Sequence, residues 1–307
     1  MPDLFRDTTV LITGASRGIG AAFARQLAPQ GARLLLVARS ARDLEQVATA
    51  VRAAGGSAEA FPADLADPDT PARLAEAVAA RGHAVDHLIN NAGIGPQGRF
   101  QDRPVDEQLP VIDVNVRAVT ALAGLFLPGM LARRRGGILN VASTAAWQGL
   151  TWLPVYSATK AYVITWSEAT WAGLRGTGVR CCCVSPGPVD TPFFDTNGLT
   201  GRPPRWLMQS AEAVAARGLR AYARDDCHVL PYLPFRLAAW STRLVPRALA
   251  ARLGAHYGKP PGCPPAPPRT MSLLDRLGLH RRERGSRPRN VLAVDRAIMG
   301  DIRRRQW

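Results

Sequence analysis

The chain has 307 residues, 47% of them hydrophobic, and a formal net charge of +15. Such a length holds one large α/β domain or two small ones with a sizeable core, and no charge-free run of 18 apolar residues appears to mark a membrane span. The N-terminus, MPDLFRDTTVLITGAS, lacks the basic and then apolar pattern of a secretory signal, so a cytoplasmic protein is expected.

Residues 8–14 (TTVLITG) read as a short buried strand ending in glycine, 18–30 as a helix, and 31–39 (GARLLLVAR) as a second apolar strand. Residues 41–54 have helical periodicity, 58–64 read as a third strand, 68–82 as a helix and 85–93 as a fourth strand. Residues 106–133 hold one long helix or two, 136–143 a fifth strand, 155–175 a helix and 179–187 a sixth strand. Continuous apolar strands alternating with amphipathic helices predict a parallel sheet covered on both faces. That is the doubly wound arrangement, with ligands bound beyond the carboxyl ends of the strands.

After Gly187 the pattern changes. Residues 188–208 are too long and irregular for a simple connection, and such loops often act as lids. Helical patterning returns at 210–224, and 231–253 read as a basic amphipathic helix or a helix pair broken by proline. That segment suits three settings: an acidic membrane surface, the closure of a substrate pocket, or another subunit. A stiff linker, GKPPGCPPAPPR, leads into an Arg-dense segment at 271–307. Residues 258–307 carry 12 Lys/Arg against 4 Asp/Glu, more than half of the net charge. The expected organisation is a catalytic domain over 1–257, with 188–253 as lid and C-terminal helices, and a basic, flexible or loosely docked tail over 258–307. The arginine clusters Arg281-Arg282 with Arg284, and Arg303–Arg305, could meet nucleic acid or anionic lipid, but a solvated tail is the favoured reading.

The five cysteines include the consecutive Cys181, Cys182 and Cys183. Neighbours on a strand point to opposite faces, so the triplet is a poor disulfide framework and reads as small buried residues in a reducing compartment. His83, His87, His228, His256 and His280 form no ligand motif, and no metal site is expected.

The chemistry begins with a scarcity. The lysines are Lys160 and Lys259; every other cation is an arginine. Lysine is a compact ammonium on a slim stem, whereas arginine is a wide fork that stays charged. On a helix, Tyr156 and Lys160 in YSATK share one face. An ammonium beside a phenol favours the phenolate and makes tyrosine a usable general acid or base.

A second motif follows the first strand. The turn Gly14-Ala15-Ser16-Arg17-Gly18-Ile19-Gly20 opens the first helix, where glycines admit a pyrophosphate and the helix end offers free N–H groups. At the end of the second strand an NAD site usually carries an acid for the ribose 2′-hydroxyl. Here the residues are Ala38-Arg39-Ser40, and the guanidinium groups of Arg39 and Arg17 suit a 2′-phosphate instead, which favours NADP(H) over NAD(H).

With these motifs in order, the chain resembles the short-chain dehydrogenase/reductase family in its single-domain Tyr-Lys form. The resemblance covers about residues 6–257. It rests on TGASRGIG at 13–20, Asp64-Leu65, Asn90-Asn91-Ala92-Gly93, Asn115, Ser143, the Tyr156 and Lys160 pair, and Pro186-Gly187-Pro188-Val189-Asp190-Thr191. It implies a Rossmann fold and a role for each position. Gly14, Ser16, Arg17, Gly18, Ile19 and Gly20 would wrap the phosphates of NADP(H). Asp64 and Leu65 would contact adenine, and Asn91, Ala92 and Gly93 the ribose region. Pro186, Gly187, Val189 and Thr191 would orient the carboxamide. Tyr156 would move the substrate proton, Ser143 would polarise the carbonyl, and Lys160 would hold the nicotinamide ribose. Asn115 would keep a water in a relay to solvent.

The expected function is NADP(H)-dependent interconversion of a hydrophobic ketone and a secondary alcohol. Trp147, Trp152, Leu153, Phe193, Phe194, Trp206 and Met208 are the candidate substrate rim. The resemblance further implies a homodimer or homotetramer formed through the helices around 106–133 and 155–175. Two other readings are a non-catalytic NADP(H)-sensing regulator, which usually lacks the tyrosine or lysine kept here, and an adaptor acting through the basic tail.

Overall fold

The computed structural model describes residues 4–242, 244–255 and 259–260. Almost all of the expected tail lies outside the described residues. In chain order the principal elements are β1 (Thr9–Thr13), α1 (Gly18–Leu27), β2 (Arg33–Ala38), α2 (Ala41–Ala53), β3 (Ser57–Pro62), α3 (Thr70–Ala80) and β4 (His87–Asn90). They continue with α4 (Val105–Ile112), α5 (Ala118–Arg133), β5 (Gly137–Val141), α6 (Pro154–Gly173) and β6 (Arg180–Val184). Last come α7 (Phe193–Thr196), α8 (Ala211–Ala223), β7 (His228–Val229), α9 (Leu233–Ser241) and α10 (Arg247–Gly254).

The strands form one parallel sheet in the order β3-β2-β1-β4-β5-β6-β7. Strand alternation splits the core into two layers. Val10, Ile12, Leu34, Leu36, Cys182 and Val184 face one layer, closed by α1, α2 and α8. Leu11, Leu35, Val37, Leu88, Ile138 and Cys181 face the other, closed by α3, α5 and α6. Cys183 packs with Ala142 and Val163 in a small third cluster. The cysteine triplet is therefore core, as its spacing implied.

The sheet carries a seventh strand that the sequence reading did not include. Two-residue β7 pairs Cys183 with His228 and Val184 with Val229. So short a segment has too few residues to display a period. Residues 106–133 resolve into α4, a π-helical turn over Asp113–Arg117, and α5. By length and composition the stretch Val105–Arg133 is long and apolar enough to cross a membrane. Here it is a layer helix that packs on α3 and α6 and buries Leu122, Ala123 and Met130. Pro246 stands just before α10, so 231–253 is a pair of helices.

One polar contact is sealed in the first layer. His87 Nδ1 lies 2.7 Å from the Tyr222 hydroxyl, under the Phe5 ring. Burial lowers the His87 pKa from 6.5 to about 4, against the pull of the neighbouring Asp86 carboxylate. A depressed folded pKa means that the unfolded chain takes up this proton first. Stability from this site is therefore full above pH 6.5 and is lost as the pH falls toward 4. The loss expected is about 3 kcal/mol. Urea unfolding of the wild type and His87→Gln at pH 7 and pH 4.5 checks this. The wild type should lose more stability between the two than the variant, and equal losses would disprove it.

Candidate active site

The loops after β1 to β6 enclose a cavity of about 980 Å³ at the carboxyl ends of the strands. It opens at the point where strand order reverses between β1 and β4, the expected position for a ligand crevice.

The β1 and β4 turns are bolted together there. Thr13 Oγ1 accepts the N–H groups of Asn91 and Ala92, each at 3.0 Å. Asn91 Nδ2 donates to the carbonyls of Thr13 (2.9 Å) and Gly14 (3.1 Å). Gly14 has φ +64°, a conformation open to glycine. A side chain at Gly20 would lie 2.2 Å from the Gly14 carbonyl, so only glycine lets α1 start this close to the turn. Arg17, the residue before α1, is extended, and no side chain caps the helix. The first-turn N–H groups are left for a ligand.

Several loops line the rest of this half of the cavity. Ser16, Arg17, Gly18 and Ile19 form one wall, Arg39 follows β2, and Asp64 and Leu65 follow β3. Arg17 and Arg39 are both exposed. Asn91, Ala92 and Gly93 line the floor, and Pro186, Gly187, Val189 and Thr191 the opposite side. Gly20 and Asn115 are not lining residues. Gly20 sits behind the turn.

Asn115 is fully buried on the π-helical turn. Its Oδ1 accepts the Ile94 N–H at 3.0 Å, and its Nδ2 donates to the Ile94 carbonyl (2.9 Å) and Thr159 Oγ1 (3.0 Å). It holds the loop after β4 against α6 and keeps one lone pair for another partner.

Ser143, Tyr156 and Lys160 line the same cavity. Ser143 Oγ accepts the Ala145 N–H at 3.1 Å, which leaves its own O–H to donate. Lys160 is 4% exposed and donates to the Val141 carbonyl at 2.8 Å, at the end of β5. Its ammonium stands 5.8 Å from the centre of the Tyr156 ring. Burial pulls the Lys160 pKa down to about 8, with Cys183 opposing.

Residues 188–209 form a closed excursion over this site. Its base is pinned where Val189 pairs with Gln209, and where Gln209 N–H donates to the Pro188 carbonyl at 2.9 Å. Its tip is tied to the loop after β4. Asn197 Oδ1 accepts the Gly95 N–H at 2.7 Å, and Gln97 Oε1 accepts the Thr200 N–H at 2.9 Å. Asn197 and Gln97 carry no signal in the sequence, because an amide outside a motif has none.

The aromatic rim needs correction. Leu153, Phe193 and Phe194 line the cavity, joined by Ile94, Val114 and Leu199. Trp147 stacks on His228 at 5.9 Å, and Trp152 is buried beneath the Arg99 guanidinium. A 3₁₀ turn at Arg205–Leu207 leaves Trp206 72% exposed, and Met208 faces a separate small hollow.

Residues 8–200 match the family model described as short chain dehydrogenase. A ketoacyl reductase, HetN, from Nostoc sp. strain PCC 7120 is 41% identical over 222 residues, covering 72% of this chain and 77% of the relative. A short-chain dehydrogenase from Sphingobium yanoikuyae, solved in complex with NADPH, is 29% identical with a TM-score of 0.70, over 77% of this chain and 93% of that one. A short-chain dehydrogenase/reductase from Burkholderia phymatum, solved in complex with NAD, is 28% identical with a TM-score of 0.70, over 80% and 94%. The match to the family model, together with the seven-stranded sheet, leads to one conclusion: the chain belongs to the short-chain dehydrogenase/reductase family of oxidoreductases.

Proposed function

We propose that this protein is an NADP(H)-dependent reductase that interconverts an apolar ketone and its secondary alcohol. One observation carries the reading: Ser143, Tyr156 and Lys160 share a single cavity with the glycine turn, Arg17 and Arg39.

The residues present fit a dinucleotide phosphate. The cavity is of a suitable size, and the uncapped start of α1 offers N–H donors to a pyrophosphate. Arg17 and Arg39 offer two guanidinium groups where a 2′-phosphate needs cations, and no carboxylate follows directly on β2. Asp64 and Leu65 would bound the adenine. Asn91, Ala92 and Gly93 would bound the ribose, and Pro186, Gly187, Val189 and Thr191 the carboxamide. When bound, the nicotinamide supplies a hydride to the carbonyl carbon, or accepts one in the reverse direction.

The chain's own residues handle the oxygen and the proton. Ser143 keeps an O–H to donate to the carbonyl oxygen as negative charge builds there. Tyr156 gives its phenolic proton to that oxygen, or removes it from the alcohol. The Lys160 ammonium favours the phenolate that results. Asn115 positions the loop after β4 and holds Thr159, one residue before Lys160. Ile94, Val114, Leu153, Phe193, Phe194 and Leu199 suit an apolar substrate body, with residues 188–209 acting as the lid. Ketoacyl reductases among the relatives agree with a carbonyl substrate. Leu109, Ile112, Leu125 and Tyr162, exposed on α4, α5 and α6, support pairing of subunits along that side.

Two measurements test this reading. Tyr156→Phe should lower kcat for a reducible ketone by about 100-fold or more while NADPH affinity stays close to wild type. Near-normal turnover in that variant would reject the mechanism. Arg39→Ala and Arg17→Ala should each weaken NADPH binding by about tenfold and leave NADH binding nearly unchanged. Wild-type protein that binds NADH as tightly as NADPH would refute the cofactor preference.

A further inference from the structure

We propose that α9 and α10 form a docking face for an anionic lipid surface. Each helix has one face committed to the body of the protein. On α9, Ala239 is buried and Phe235 abuts Gly187, where an added Cβ would lie 2.5 Å from the phenyl ring. On α10, Ala250 and Gly254 are buried, and Gly254 approaches the Gly149 carbonyl. The leucines of the remaining faces are exposed. Leu233 and Leu237 are 55% and 63% exposed, Leu244 is 87%, and Leu249 and Leu253 are 44% and 63%. A spacing of four residues keeps Leu233 and Leu237 on one stripe of α9, and does the same for Leu249 and Leu253 on α10. Large apolar side chains concentrated in this way mark an interaction surface, unlike single exposed leucines.

Charge identifies the occupant. No Asp or Glu occurs from residue 227 to residue 274, a stretch that holds Arg236, Arg243, Arg247, Arg252, Lys259 and Arg269. Arg236, Arg247 and Arg252 are exposed on the same two helices as the leucines. Residues 258–307 have the same sign, 12 Lys/Arg against 4 Asp/Glu, so like charge opposes seating that segment here. A second copy of the face meets the same repulsion. Nucleic acid matches the charge but gives a row of leucines nothing to enter. An anionic bilayer matches both: leucine enters the acyl boundary, and arginine stays among the phosphates.

The face lies next to the catalytic cavity, because Phe235 packs on Gly187 and Gly187 lines the cavity. An apolar substrate would then reach the site from the lipid. That last clause rests on the proposed reaction; the lipid contact does not.

The test is co-sedimentation of the full chain with phosphatidylcholine vesicles, with and without phosphatidylglycerol. The full chain should sediment with the anionic vesicles, weakly with the neutral ones, and less at high salt. Leu237→Glu with Leu253→Glu should lower the partition coefficient by about tenfold or more, and Arg236→Gln with Arg247→Gln by about tenfold. Turnover of a water-soluble ketone should be unchanged in both, since none of these residues lines the cavity. Three results would each overturn the proposal: wild type left in the supernatant, a leucine variant that binds as tightly as wild type, or a leucine variant that only dissociates an oligomer on a sizing column. Lost turnover with normal lipid binding in the wild type would count against the reaction alone.

Discussion

A buried ammonium organises this molecule. Taking a cation out of water is costly, so Lys160 requires a fixed acceptor and a tight envelope. The Val141 carbonyl is that acceptor, which sets α6 against the end of β5. The register is reinforced by a buried amide chain. Asn90 Nδ2 donates to Asn140 Oδ1, and Asn140 Nδ2 donates to Ser167 on α6, both at 2.9 Å. These contacts join β4, β5 and α6 beneath the cavity. An arginine at 160 would bring a wider group that stays charged, and neither the space nor the lowered pKa would survive. In a chain whose other cations are nearly all arginine, this is the position that needs the slimmer group.

The readable parts of the fold were those with a repeating physical cause. Strands buried on both faces are mostly apolar, so β1, β2 and β5 were plain from composition. The glycine turn was legible because backbone approach excludes side chains, and Tyr156 with Lys160 because a helix enforces their spacing. Less was visible where structure depends on a partner distant in the chain. Strand β7 exists because β6 offers an edge, and its two residues have no pattern of their own. The π-helical turn at Asp113–Arg117 inserts one extra residue per turn, which periodicity averages away. The aromatic rim was misjudged for a related reason. Hydrophobic size indicates burial or contact, but not which cavity a side chain faces. Trp147 ends the 3₁₀ turn that Ser143 caps and stacks on His228, outside the cavity lining.

Residues 188–209 show how an irregular segment acquires a shape. The Val189 and Gln209 pairing closes the base, and two side-chain amides fix the tip. Asn197 and Gln97 thus tie the cover of the cavity to the loop that Asn115 also holds. Cover, floor and the lysine-bearing helix share a small set of amide contacts.

The thiols of β6, the strand next to one edge of the sheet, have a use of their own. Cys181, Cys182 and Cys183 are each inaccessible, each sits in a different packed cluster, and burial raises the pKa of all three, that of Cys183 to about 12. An alkylating reagent can reach them when β6 leaves its neighbours, whereas partly exposed Cys227 is open to attack in the folded protein. The strand is therefore a built-in clock. The rate at which its sulfurs become labelled counts how often that strand parts from its neighbours.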